Sequence, residues 1–170
     1  MPDQRPKEIS VRSPIPHKLS AVEGEVIAKI RAWRATPEDE FHQELLRYPA
    51  RVMQHFILLY HGHVKFRFRP IAKELGIEMR TLERAFVEEF GKSMFQSQVD
   101  ARLAFAQTLL RWMPPPKISV VASMLGYDEP RDFHHFFEKH TAETPSAWGR
   151  KEREKAKRDI RLAAGSEEPF

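Results

Sequence analysis

The stretch "LGIEMRTLERAFVEEFG", Leu75–Gly91, sets Arg80, Thr81, Glu83 and Arg84 close together. Each can read the edge of a nucleobase. Arginine pairs bidentately with guanine O6 and N7, a carboxylate accepts from cytosine N4, and a threonine hydroxyl can donate or accept. Arg80 and Arg84 are one helical turn apart, so on a helix they point the same way. Leu82, Ala85, Phe86 and Phe90 recur at helical spacing and form an opposing apolar face. The pattern predicts a helix over Glu78–Phe90, closed by Gly91, with its polar side free. A B-DNA major groove, about 12 Å wide, admits one such helix. The bland alternative is a solvated helix on which Arg80 and Glu83 form a surface pair worth little.

The elements that must hold this helix are visible as an internal repeat. "IAKELGIEMRTLERAFVEEFG" aligns with "VASMLGYDEPRDFHHFFEKHT", so that Ala72 meets Ala122, Leu75 meets Leu125, Gly76 meets Gly126 and Ile77 meets Tyr127. Without a gap, Leu82 would oppose Asp132. One extra residue in the second turn sets Leu82 on Phe133 and Phe86 on Phe137. Each copy is then a short helix, a glycine turn and a longer amphipathic helix, the helix-turn-helix layout. The alanine permits close helix approach, and the glycine takes the left-handed turn. The same alignment sets Arg131 on Arg80, His134 on Glu83 and His135 on Arg84, which nominates these three as DNA contacts of the second copy. Asp128 is expected to cap the second recognition helix, with Pro130 in its first turn. Asp128, Glu129 and Asp132 bring three acids to where phosphates approach, so the second copy is expected to read DNA weakly and to support the first.

Between the copies, Met94–Trp112 reads as one long helix with Val99, Leu103, Ala106 and Leu110 on a stripe, broken by Pro114–Pro116. Val52–Tyr60 is an apolar helix, and Arg69–Leu75 a short one stopped by Gly76. "TPSAWGR" opens a last helix that can run on through "RKEREKAKRDIR", Arg150–Arg161, which holds 7 basic and 3 acidic residues and is a solvated face or a phosphate contact. At the front, Leu19–Ala35 is amphipathic. Thr36 is expected to cap the next helix, with Pro37 at its first position and a stop at Pro49. No stretch alternates long enough for a sheet; "HVKFRFR" comes closest. The fold class is therefore all-α, two helix-turn-helix subdomains joined by a long linker helix with a short helical N-terminal extension. The expected division is a disordered proline-rich arm over 1–16, the extension over 17–50, the double helix-turn-helix unit over 51–150 and a basic helical tail over 151–170.

From about Val52 to Arg150 the chain resembles the DNA-binding domain of AraC/XylS-type transcriptional regulators. The resemblance rests on the first copy together with "ARLAFAQTLL", "ISVVASMLGY" and "FHHFFEKHTAETPSAW". It implies two recognition helices entering successive major-groove segments on one face of double-stranded DNA. By resemblance, Arg102 is the family's linker-helix arginine, and Pro145 with Trp148 its closing signature. The chain departs from the pattern at Glu78, where Ser or Thr is the usual cap, at Met94, where proline usually follows the serine, and at Ala142, where glycine is usual. Relatives often carry a β-rich effector domain. No β pattern precedes this unit, so no small-molecule effector domain is evident.

Bulk properties narrow the class. The formal net charge is +4 over 170 residues, and residues 49–112 hold the excess, with 10 basic and 6 acidic side chains. That places the positive charge around the first copy, as a polyanion-binding surface requires. Cysteine is absent, which excludes disulfides and cysteine-ligated zinc. His61, His63, His134, His135 and His140 lack the spacing of a zinc site, so no metal or cofactor is expected. No nucleophile–base arrangement or glycine-rich phosphate loop argues for an enzyme. No membrane span or signal-peptide core is visible, and a cytoplasmic location is expected. Double-stranded DNA is the expected partner, with RNA polymerase or another regulator as a further candidate. A reading of a different class is a protein-protein interaction module that keeps the helix-turn-helix shape and meets its partner through the N-terminal helices. On that reading Trp33 and Phe41 face the partner; otherwise they pack on the first subdomain.

Overall fold

Two separate apolar cores organise the chain, and one helix belongs to both. The computed structural model describes residues 18–165, so the arm expected over 1–16 and the end of the tail lie outside the described residues. Among the described residues every regular element is a helix: α1 (Ala21–Arg34), α2 (Glu40–Leu46), α3 (Pro49–Leu59), α4 (Phe68–Leu75), α5 (Met79–Phe90), α6 (Met94–Leu110), α7 (Ile118–Met124), α8 (Pro130–Thr141) and α9 (Pro145–Gly165). The first core gathers α1, α3, α4 and α5 around Phe56, Phe66, Ile71, Leu82 and Phe86. The second gathers α6, α7, α8 and α9 around Leu109, Leu125, Phe133, Phe137 and Trp148. Met94 at the start of α6 enters the first core, and Ala106, Leu109 and Leu110 enter the second.

The repeat seen in the sequence holds in three dimensions. Gly76 and Gly126 both take left-handed backbone conformations. The amide that follows each donates back to the matching alanine: Ile77 N to Ala72 O at 3.1 Å and Tyr127 N to Ala122 O at 3.0 Å. This is the hydrogen-bond pattern of a Schellman turn. Two residues separate Gly76 from α5 and three separate Gly126 from α8, which is the extra turn residue. The equivalence continues one helix further. Ser93 caps α6 by accepting from Gln96 N, and Thr144 opens α9 by accepting from Ala147 N. Arg102 on α6 donates to Gly62 O after α3, and Arg153 on α9 donates to Leu110 O at the end of α6. Each copy is thus a three-helix unit closed by an arginine from the following helix. Arg153, part of the basic run, faces the protein. α9 itself runs unbroken through residue 151, and beyond Arg153 its described residues are all exposed.

The N-terminal extension packs on the first unit. α1 lies along α4, clamped at both ends. At one end the Glu23 carboxylate, with no solvent exposure, accepts from Arg67 Nε at 2.6 Å, from the Arg67 amide and from the Ser20 amide. At the other, Arg31 and Arg34 both pair with Glu74. N-terminal end meets N-terminal end, so the two helices run parallel. Tyr60 donates to Glu25 at 3.0 Å, and burial with that bond pushes its pKa to about 12. Trp33 stacks between His42 and Phe56 rather than facing outward, while Phe41 is 68% exposed.

Two expected caps are corrected. Thr36 does not cap α2; its hydroxyl turns back onto Ala32 O in the last turn of α1, and Asp39 accepts from the His42 amide in its place. Pro49 stops α2 but also opens α3, where its missing N–H costs nothing. Asp128 does not cap α8 either. The cap position is Glu129, without a side-chain bond, because the longer turn carries Asp128 out to Lys65.

Two stability measurements follow. Gly91 and Ala142 end α5 and α8 at φ 69° and 60°. The left-handed region costs a non-glycine residue about 1–2 kcal/mol. Ala142→Gly is expected to stabilise by about 1 kcal/mol, and Gly91→Ala to destabilise by about 1 kcal/mol, in urea unfolding. For Glu23, burial raises the pKa, but the Arg67 hydrogen bond and the Ser20 and Arg67 amides outweigh it and hold it below the ordinary value. Its contribution is therefore full above the unfolded pKa of about 4.3 and is lost as pH falls through the folded value. Glu23→Gln is expected to cost about 1–3 kcal/mol at pH 7. The gap between the two proteins should shrink as pH drops below about 4; a gap that persists would contradict the assignment.

Candidate nucleic-acid interface

α5 is held by Leu82 and Phe86, both fully buried, and this fixes which side turns outward. Arg80, Thr81 and Arg84 share the outward side and are exposed. None has a hydrogen bond or ion pair among the described residues. Glu83 is exposed too, but on a different stripe, four residues from Met79 and from Val87. It borders an apolar groove lined by Phe68, Val87, Met94 and Phe95. The structure thus brings Arg80, Thr81 and Arg84 together and sets Glu83 on the flank. No Arg80–Glu83 pair forms among the described residues.

The amino end of α5 is open. Glu78 occupies the cap position without a side-chain hydrogen bond, leaving first-turn amides free. A shallow concavity at the α4–α5 turn is lined by Arg69, Lys73, Gly76, Ile77, Glu78 and Met79. Arg69 and Lys73 are exposed and have no ion pair among the described residues. Sequence reasoning did not nominate them. Their i, i+4 spacing on the helix before the recognition helix was the available signal. Four cations, Arg69, Lys73, Arg80 and Arg84, therefore surround one helix-turn-helix turn.

The second copy has the same frame and different chemistry. Phe133 and Phe137 are fully buried and fix α8 as Leu82 and Phe86 fix α5. Arg131 and His135 are exposed, and His134 is partly buried against Phe133. The counterparts of Arg69 and Lys73 are Ser119 and Ser123, and the counterpart of Thr81 is Asp132. Lys139, the counterpart of Glu88, adds one exposed cation that sequence reasoning passed over. Asp128 is engaged by Lys65 Nζ at 2.6 Å, which removes one of the three acids as a free charge.

Among the described residues no three ligating side chains converge. His61 stacks on Phe105 at 3.7 Å, and His63 lies against the Gly126 turn.

The family comparison falls on these two units. Residues 71–151 match the model of a family described as "Helix-turn-helix domain". These residues are thus similar to an AraC-type helix-turn-helix domain. The match begins within α4 and ends within α9, so it takes in both recognition helices. The solved C-terminal domain of AraT, a response regulator from Geobacillus stearothermophilus, shares the fold. It superposes with a TM-score of 0.55 at 22% identity, over 61% of this chain and 84% of that one. A comparison with curated proteins matches none. Relative to the AraC-type pattern, Glu78, Met94 and Ala142 are accommodated without loss of the helices they border: Ser93 still caps α6, and Ala142 takes the left-handed conformation itself. No helix among the described residues is long and apolar enough to cross a membrane.

Proposed function

We propose that this chain is a sequence-specific, double-stranded-DNA-binding transcription regulator, acting in the cytoplasm by binding rather than by catalysis. α5 enters the major groove. Arg80 and Arg84 read base edges, Thr81 assists, and Arg69 and Lys73 hold the flanking phosphates. α8 approaches the adjacent groove segment through Arg131, His135 and Lys139, with His134 and Glu83 in flanking roles. The observation that carries this reading is the set of four exposed cations around the α4–α5 turn, with no ion-pair partner among the described residues. A cluster of unpaired positive charge around one turn suits a polyanion. RNA polymerase or another regulator remains a further partner class.

The same observation supports unequal copies. The first copy offers Arg and Lys where the second offers serine, and threonine where the second offers an acid. We infer that the first copy supplies most of the affinity and the specificity.

The test is binding to a selected duplex across a salt series. Arg84→Ala is expected to lose about 10- to 100-fold in affinity and to relax base preference at one position. Lys73→Ala should weaken all sequences alike and lower the salt slope by about 1. Arg131→Ala should cost clearly less than Arg84→Ala; equal losses would overturn the inequality. An absent or salt-insensitive signal would sink the DNA reading. It would favour a protein-protein interaction module, for which the exposed Phe41 is one apolar contact.

A further inference from the structure

The eight-residue connection between α3 and α4, "YHGHVKFR", touches far more of the molecule than a connection must. Its backbone is fixed from below by α6. Gln98 Nε2 donates to His63 O at 3.0 Å and to Phe66 O at 2.8 Å, and Arg102 Nε donates to Gly62 O at 2.7 Å. The chain passes so close to α6 that a Cβ on Gly62 would collide with the Gln98 carbonyl. So anchored, the loop reaches across to the second copy. The Val64 amide donates to Leu125 O at 3.0 Å. Lys65 Nζ pairs with Asp128 at 2.6 Å. The His63 imidazole lies over Gly126, where a Cβ would come within 2.3 Å of the ring. Burial, with Lys65 and Arg102 nearby, holds the His63 pKa below its ordinary value, and its Nδ1 accepts from the Lys65 amide at 3.2 Å.

Comparison of the two equivalent glycines isolates the feature. Gly76 in the first copy has open space where a Cβ would be; Gly126 in the second is covered by His63. The frame common to both copies does not require that cover. It is an added contact, and it falls at the turn that aims α8.

We propose that the α3–α4 loop is a latch: by seating His63 on the Gly126 turn and joining Val64 and Lys65 to Leu125 and Asp128, it fixes the orientation of α8 relative to α5. The two apolar cores are separate, and a small polar interface between units ordinarily leaves them free to move. α6 alone would be a single attachment, and helices bend. The loop supplies a second attachment off the axis of α6. A two-point attachment resists both bending and twisting. Resting on the DNA reading above, the latch also sets the spacing at which the two recognition helices meet successive groove segments.

The chain has no cysteine, so two labels can be placed cleanly. Lys29→Cys on α1 and Ser146→Cys on α9 are exposed, lie one in each unit, and stand apart from the proposed DNA contacts. The experiment is a nitroxide distance distribution on the full chain by pulsed electron paramagnetic resonance. A single narrow distribution is expected in the parent. His63→Ala with Lys65→Ala should broaden it at least about twofold. Gly126→Ala, which displaces the imidazole from the other side, should also broaden it. Lys92→Ala, which breaks an exposed pair with Asp100, should leave it unchanged. Helical content by circular dichroism confirms that each variant is folded. An unchanged distribution in folded His63→Ala/Lys65→Ala would overturn the latch. A second arm compares a selected duplex with the same site carrying one inserted base pair between its halves. The parent's preference for the original spacing should fall at least about threefold in the latch variant. A broadened distribution with unchanged spacing preference would overturn the role in spacing. Failure of the parent to bind any duplex would instead sink the DNA reading and leave the distance result to decide the latch.

Discussion

Arg102 is the interaction on which the arrangement of the two copies depends. Its side chain is 8% exposed in the middle of α6. Nε donates to Gly62 O, and the guanidinium lies 5.2 Å from the Phe136 ring centroid and 5.8 Å from that of Tyr127. One end of the group therefore holds the loop of the first unit, and the other lies near aromatic rings of the second, with Nη1 donating to the Tyr127 hydroxyl at 3.5 Å. A planar cation that donates in its plane and attracts aromatic rings can do both; lysine offers no such geometry. Gln98, one turn earlier, completes the loop's hydrogen bonds, and among the described residues no buried side-chain polar atom lacks a partner. The polar stripe of α6 is thus a satisfied network, not a weakness in a core.

Duplication explains the fold, and divergence explains the site. The buried alanine, the left-handed glycine and the two buried apolar anchors recur in both copies because helix approach and chain reversal allow few substitutes. The outward positions are under no such constraint. In the first copy they are cationic around the turn; in the second they include Ser119, Ser123 and Asp132. Even the capping arginines follow the frame, with Arg153 of α9 closing the end of α6 as Arg102 of α6 closes the chain after α3. A basic residue in a charged run can therefore belong to the protein's own packing, as Arg153 does, while others on the same helix stay in solvent.

Much of this was legible before the coordinates. The helices, the repeat and its one-residue gap rest on local periodicity and on glycine, and both leave plain marks in sequence. The outward placement of Arg80, Thr81 and Arg84 follows from the buried Leu82 and Phe86. What stayed hidden depends on long-range partners. Asp128 reads as a cap until Lys65, 63 residues away, is seen to hold it. Ser20 and Glu23 have the spacing of a capping box, yet nothing local shows that Glu23 is also buried against Arg67. Thr36 looks like a start signal because a threonine before proline usually is one; here its hydroxyl ends the previous helix instead. Glu83 was grouped with its neighbours by sequence distance, and only the helical phase separates it from them. Arg69 and Lys73 were overlooked because they lie on the helix before the recognition helix, and their relevance needs the turn between the two.

The central claim is that a cationic first copy reads sequence in duplex DNA. The most direct measurement is selection of bound sites from a random duplex pool at about 150 mM salt, where nonspecific binding is already weakened. The expected result is an enriched site with its strongest bases in one major-groove segment and weaker preference about one helical turn away. No enriched sequence, with only bulk binding that salt abolishes, would contradict it.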